Sequence, residues 1–295
     1  MNGAPRPLKR IDHIVALVPD LDTAFDTYSQ TLGFPVSWRV ESKDGWRSSA
    51  LWLGDASLEL LQPLDTGTSA GSFFGRALEQ RGPGLFLVAF EPREISYSVR
   101  WLRGRGVRVA DPVTSSIVDR SNESLRGYQS AFISRRDTAG LNCFLCEYDS
   151  PFSPVDGGKG ALKVNKLDHV IIATDDLDEA TRLWERNLGL KPDASLNHPL
   201  GAGFKVARLP IGDAFLELVQ PVQKEGRFYK QFQQRGEGLF SISVEVEDLD
   251  EAVAFLRGKG VKVSDPEASI WPGARLARIN HEHTHGVSIQ LIQRP

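Results

Sequence analysis

The chain is written twice. RIDHIV at residues 10–15 returns as KLDHVI at 166–171, an offset of 156 residues. LELLQP at 58–63 returns as LELVQP at 216–221 (offset 158), and LRGRGVRVADP at 102–112 as LRGKGVKVSDP at 256–266 (offset 154). Three matches in the same order at nearly one offset mean a tandem duplication, so both halves must satisfy one folding pattern. The 295 residues therefore divide into a first module at 1–150, a linker at 151–164 and a second module at 165–295. The Pro- and Gly-rich PFSPVDGGKG marks that linker.

Each module divides again. DHIVALVPDLDTAF (12–25) reads as a strand, a turn and a helix start, and its Leu21, Ala24, Phe25, Tyr28 and Leu32 recur at helical spacing. The pattern returns at 168–184, at 241–260 and, more loosely, at 87–106. Asp176 with Glu179 and Asp248 with Glu251 have the spacing of an N-cap and its third helical residue, which fixes two helix starts. Short alternating segments follow each helix, among them FKVARLP, AFLELVQP and VSIQLIQ, and these predict antiparallel strands. The expected fold is α+β, with four βαβββ units in two modules.

Composition narrows the partners. The net charge of −3 gives no basic face for nucleic acid or an anionic membrane surface. No apolar run approaches the ~20 residues of a bilayer span. MNGAPRPLKR carries basic residues with no apolar stretch after them, so no signal peptide is expected. Two cysteines cannot build a disulfide framework, and a cytoplasmic location is the expectation. Cys143 and Cys146 form C-x-x-C, but on a predicted strand residues three apart face opposite ways, which reads as two separate buried thiols. The expected partner is a small-molecule substrate, with no nucleic acid and no membrane.

IDHIV…DLD, LELLQP, RGEGLF and THGVSIQLIQ together resemble the vicinal-oxygen-chelate superfamily, which includes glyoxalase I, methylmalonyl-CoA epimerase, extradiol ring-cleaving dioxygenases and bleomycin-resistance proteins. The resemblance covers residues 10–149 and 165–293, and the second module is most similar to methylmalonyl-CoA epimerase. It implies one cup per module, with ligand positions on the first and last strands of two paired units. Carried over, these are His169, Glu217, Ser241 and Gln290 in the second module, and His13, Glu59, Leu87 and Phe144 in the first. Leu87 and Phe144 cannot ligate, so the first module is expected to be metal-poor, with His13 and Glu59 a weaker second site. The helical stretches at 69–81 and 226–235 resemble those of the epimerase, which favours pairing of units within a module. The alternative is a swapped pairing that joins His13 and Glu59 with Gln290.

The residues themselves agree with a cup. On regular strands His13 would share a face with Ile11, Val15 and Leu17, and His169 with Leu167, Ile171 and Ala173. Glu217 falls between Phe215 and Val219. A carboxylate on an apolar face needs compensation, which a divalent ion (Ni, Co, Mn, Zn or Fe) or a His–Glu pair supplies. The resemblance implies a metal-dependent lyase or isomerase of the glyoxalase and epimerase kind. His169, Glu217 and Gln290 would hold the ion, and Glu217 would move a proton α to a carbonyl with enediolate stabilisation. A ring-cleaving dioxygenase and a metal-free binding or resistance protein are the alternatives. His198 in LNHPLGAG, and His283 and His285 in NHEHTHG, are candidate substrate contacts at the mouth. Monomer or homodimer is expected, since two modules in one chain can replace a dimer of single modules.

Overall fold

The computed structural model describes residues 5–120, 124–150, 158–193, 199–200 and 203–295. Each half contains two βαβββ units, as the periodicity predicts. The first unit runs β1 (Leu8–Leu17), α1 (Leu21–Asp26), β2 (Val36–Ser42), β3 (Trp46–Leu53) and β4 (Ala56–Pro63). After α2 (Ser69–Arg81) the second runs β5 (Gly84–Pro92), α3 (Ile95–Arg103), β6 (Val113–Asp119), β7 (Ser124–Ile133) and β8 (Cys143–Tyr148). The third has β9 (Val164–Ala173), α4 (Leu177–Leu188), β10 (Pro199–Leu200), β11 (Phe204–Ile211) and β12 (Ala214–Pro221). After α5 (Gly226–Arg235) the fourth has β13 (Gly238–Val246), α6 (Leu249–Gly258), β14 (Glu267–Ala268), β15 (Arg275–Ile279) and β16 (Ile289–Gln293).

Units pair within their own half. β1 lies antiparallel to β5 and β9 antiparallel to β13, so the swapped arrangement does not occur. The eight strands of the first half close into a barrel, sealed where Val40, Glu41 and Ser42 of β2 meet Asp119, Val118 and Ile117 of β6. The second half curls in the same order, but its edges are the two-residue strands β10 and β14, and it stays open. Asp176 and Asp248 cap α4 and α6 by accepting from the backbone N–H of Glu179 and Glu251, as the spacing predicts. Among the described residues no helix is long and apolar enough to cross a membrane.

The halves share one core. Residues such as Val88, Phe90 and Leu145 of the first half and Val170, Trp184 and Ile242 of the second belong to a single buried cluster. Phe90 and Trp184 meet edge to face with centroids 6.4 Å apart. The contacts are nearly two-fold symmetric. Tyr28, after α1, donates to the carbonyl of Thr284, and Asn187 at the end of α4 donates to the carbonyl of Asp137, both at 2.9 Å. Each acceptor sits in the tight turn before the last strand of the other half. At Gly286 (φ +83°) a Cβ would run into the Pro83 carbonyl, so only glycine permits that approach.

Candidate active site

The strand face that carries the histidines is not regular. β1 matches Ile11 to Phe90 and His13 to Ala89, skipping Asp12; β9 matches Leu167 to Val244 and His169 to Ser243, skipping Asp168. Both are β-bulges. The extra residue resets the alternation, which corrects the expected faces: Ile11 and Leu167 join the shared core instead of standing beside their histidines. The bulge also lets two consecutive side chains meet. His13 Nδ1 is 2.6 Å from Asp12 Oδ2, and His169 Nδ1 is 2.6 Å from Asp168 Oδ1. An imidazole that donates from Nδ1 presents the Nε2 lone pair to the cup.

In the second half this becomes a chain of charges. Arg294 donates to both oxygens of Asp168 at 2.8 and 2.6 Å. His169 Nε2 lies 3.5 Å from Glu217 Oε2, and Arg208 Nε lies 3.4 Å from Glu217 Oε1. Arg208 and Glu217 are cross-strand partners on β11 and β12. The guanidinium is clamped between Phe215 (3.4 Å to the ring centroid) and Trp271 (4.4 Å). Asp168, His169, Arg208 and Glu217 are all buried. Burial raises the Asp168 carboxyl, but hydrogen bonds from His169 and Arg294 outweigh it and hold it below the usual carboxylate range. Burial pushes the Glu217 carboxyl up, against the pull of His169 and Arg208.

His169, Glu217, Ser241 and Gln290 line one cavity of about 380 Å³, so the structure brings the four expected positions together. Ser241 Oγ donates to the carbonyl of Ser288 at 2.9 Å. Arg235, Arg278 and His281 line the same cavity, with Arg278 paired to Glu267. His283 does not line it, and its Nε2 is buried without a hydrogen-bond partner. His285 is a correction to the expected mouth position. It is held at φ 49°, stacks on Tyr28 and places Nε2 2.9 Å from Thr27 Oγ1, at the junction of the halves. Its partly buried ring titrates below the ordinary histidine value because desolvation opposes the charge. His198 lies outside the described residues.

The first half repeats the histidine and the carboxylate but not their surroundings. His13 Nε2 is 3.2 Å from Glu59 Oε2. Where Glu217 faces Arg208 across the sheet, Glu59 faces Ala50. Burial raises the Glu59 carboxyl, with Ser48 and His13 opposing. His13 is desolvated too, yet its bond to Asp12 and the charge of Glu59 carry it above its ordinary value. Leu87 and Phe144 line this cup, where they were expected, and bring no donor atoms.

Among the described residues no three His, Cys, Asp or Glu side chains are placed to hold one metal ion. An ion would need amide or hydroxyl oxygen as well; at the two remaining expected positions the second cup has Ser241 and Gln290, where the first cup has Leu87 and Phe144. His169 and Glu217 fit such a group. Their facing atoms, 3.5 Å apart with no hydrogen bond between them, stand as two ligands each ~2.0–2.2 Å from one ion do. Each also has the outer partner that orients a ligand, Asp168 for the imidazole and Arg208 for the carboxylate.

A glyoxalase-like domain matches residues 11–166 and again residues 167–285. The chain belongs to the glyoxalase-like family. Within that family it is similar to mitochondrial methylmalonyl-CoA epimerase of Homo sapiens, with 25% identity over 147 residues, 49% of this chain and 83% of the epimerase. A variant of 4-hydroxymandelate synthase from Streptomyces coelicolor superposes with a TM-score of 0.74 at 17% identity, over 98% of this chain and 93% of that one. A fusion of a xylose isomerase-like TIM barrel with 4-hydroxyphenylpyruvate dioxygenase gives a TM-score of 0.64 at 15% identity, over 99% of this chain and 50% of the fusion. The two structural likenesses show that this chain shares a fold with those proteins over nearly its whole length, and nothing about its chemistry.

Sequence reading missed Asp12, Asp168, Arg208 and Arg294. The aspartates had a signal, since Asp precedes His in both copies of the repeat. Arg208 had a fainter one, an arginine in FKVARLP where the first copy has Ala50 in SSALWL.

Proposed function

We propose that the second cup is the reactive centre of a lyase or isomerase of the glyoxalase and epimerase kind, acting on a small oxygenated substrate that carries a negative charge. The observation that carries this reading is the run Arg294–Asp168–His169–Glu217–Arg208, buried from Asp168 onward, which ends in a cavity that Arg235 also lines. Arg235 has no carboxylate partner among the described residues and stands at the exposed rim, suited to an anionic tail. A divalent ion held by His169, Glu217 and Gln290 would supply Lewis-acid stabilisation of charge on two neighbouring substrate oxygens.

The chain's own residues supply the rest. Asp168 keeps the imidazole in one tautomer and orientation. Glu217, whose affinity for a proton is raised by burial, takes and returns the proton α to the carbonyl. Arg208 stays charged beside it and holds Glu217 in place through the transfer. The aromatic clamp of Phe215 and Trp271 keeps water from the guanidinium. With one carboxylate in the cup, a one-base reaction is favoured over a two-base epimerisation. Ser241, tied to the backbone at Ser288, stands where a dioxygenase of the two-His, one-carboxylate type needs its second imidazole, which weighs against that reading.

The test is exchange of the α-proton in deuterium oxide, followed by proton NMR with divalent metal present. The panel would be 2-oxo acids, 2-hydroxy acids and acyl-CoA thioesters. Exchange by the wild type that disappears in Glu217→Gln supports the assignment. Exchange unaffected by Glu217→Gln but lost in Glu59→Gln would place the reaction in the other cup.

A further inference from the structure

The first barrel is the larger cavity, about 610 Å³, a size that takes a drug-like molecule. The proposed reaction does not use it. Its floor is the buried pair His13 and Glu59. A ladder of rings climbs from that floor to the rim. Phe144 meets His13 edge to face at 5.6 Å, Phe132 stacks on Phe144 at 5.2 Å, and Phe73 meets Phe132 at 5.8 Å. Phe73 and Phe132 are exposed, at 38% and 42%. Large apolar rings left in solvent at the entrance of an apolar cavity lose that exposure when a flat ligand covers them.

Charge decides what kind of ligand. Among the described residues lining the barrel there is no lysine or arginine. Three carboxylates line it, and two are already matched: Glu59 with His13, and Asp111 with Arg103 at 2.7 Å. Asp44 has no basic partner among the described residues and accepts only from the Ser115 hydroxyl, at 2.9 Å. Its loop is pinned, because its backbone carbonyl accepts from the Thr68 hydroxyl and from the Gly71 N–H at the start of α2. Trp46 and Tyr128 also line the cavity and are aromatic partners for a cation. The second cup instead carries Arg235, which has no carboxylate partner among the described residues.

We propose that the first barrel is a separate binding site for a planar aromatic cation, with its rings stacked along Phe144, Phe132 and Phe73 and its positive charge directed to Asp44. This site stands or falls independently of the chemistry in the second cup.

The probe is the tricyclic cation proflavine, titrated into the full chain and followed by fluorescence anisotropy. The control is anthracene-9-carboxylate, a flat tricyclic anion. The expected result is saturable 1:1 binding of the cation and much weaker binding of the anion. Asp44→Asn should weaken proflavine about fivefold, the scale of one partly exposed ion pair. Phe132→Ala, at an exposed ring whose loss spares the core, should weaken it about tenfold. Glu217→Gln should leave it unchanged. The proposal is overturned if proflavine does not bind, if anthracene-9-carboxylate displaces it with comparable affinity, if Asp44→Asn or Phe132→Ala has no effect, or if Glu217→Gln alone abolishes binding.

Discussion

Asp168 accepts the Nδ1 proton of His169, its immediate neighbour in the chain, at 2.6 Å. On a regular strand adjacent side chains point to opposite faces, so this bond exists only because β9 bulges at Asp168. The same bond joins Asp12 to His13 in the first half. The repeated Asp–His dipeptide is therefore one device used twice, a histidine whose outer partner is built into its own strand.

Asp168→Asn should lower divalent-metal affinity about 10- to 100-fold, the usual effect of losing the partner that orients a ligating imidazole. It should also change acid stability. The folded carboxyl sits below its ordinary value, 3.8, because His169 and Arg294 outweigh burial. Its contribution is therefore complete above pH ~4 and is lost as pH falls through the depressed folded value. Urea unfolding between pH 2.5 and 7 should show the variant less stable at neutrality and flatter on acidification. Parallel curves for the two proteins would remove Asp168 from the account.

His13 gives a pH dependence of the opposite sign. Its folded value is raised above the ordinary 6.5, because Asp12 and Glu59 outweigh burial. The stability it contributes is present below pH ~6.5 and is lost as pH rises through the raised folded value. The urea midpoint at pH 5.5 minus that at pH 8 should be more positive in the wild type than in His13→Gln. His285, lowered by desolvation, acts the other way in both proteins and cancels in the comparison.

The architecture was readable from the sequence because it rests on periodicity. The repeat offsets, the capping pairs Asp176–Glu179 and Asp248–Glu251, and the helices at 69–81 and 226–235 all reappear in the fold. The strand faces next to the histidines were not, because a bulge depends on the partner strand, and a single strand's pattern does not record it. His169, Glu217, Ser241 and Gln290 line one cavity, at the positions that the resemblance to the vicinal-oxygen-chelate superfamily implies. Arg208 escaped because a charged residue in an alternating strand reads as solvent-facing, whereas here Glu217 and two aromatic rings make its burial tolerable. His285 is a candidate substrate contact in the sequence, but its turn packs against the other half, a contact that strand patterns in one half do not encode.

The shared core predicts that the halves do not unfold separately. Denaturant unfolding should give one transition by far-UV circular dichroism and by tryptophan fluorescence, with coincident midpoints. Tyr28→Phe removes the hydroxyl that donates to the Thr284 carbonyl, which still accepts from Val287 N–H. The cost should be about 1 kcal/mol, spread over that single transition. Two resolved transitions in the wild type would mean that the halves are energetically independent.

Gln290→Glu should tighten divalent-metal binding, since a carboxylate offers an ion more electrostatic stabilisation than an amide oxygen. The measurement is calorimetric titration of both proteins in one buffer at one pH. Equal or weaker binding by the Glu form would mean that Gln290 is not a ligand.

We propose that the second cup, and not the first, is the metal-dependent centre. Titration calorimetry with Co(II) on the metal-stripped chain tests it most directly, comparing the wild type with Glu217→Gln and Glu59→Gln. The account predicts one tight site per chain, lost in Glu217→Gln and retained in Glu59→Gln. Two equal sites, or a single site that survives Glu217→Gln and is lost in Glu59→Gln, would contradict it.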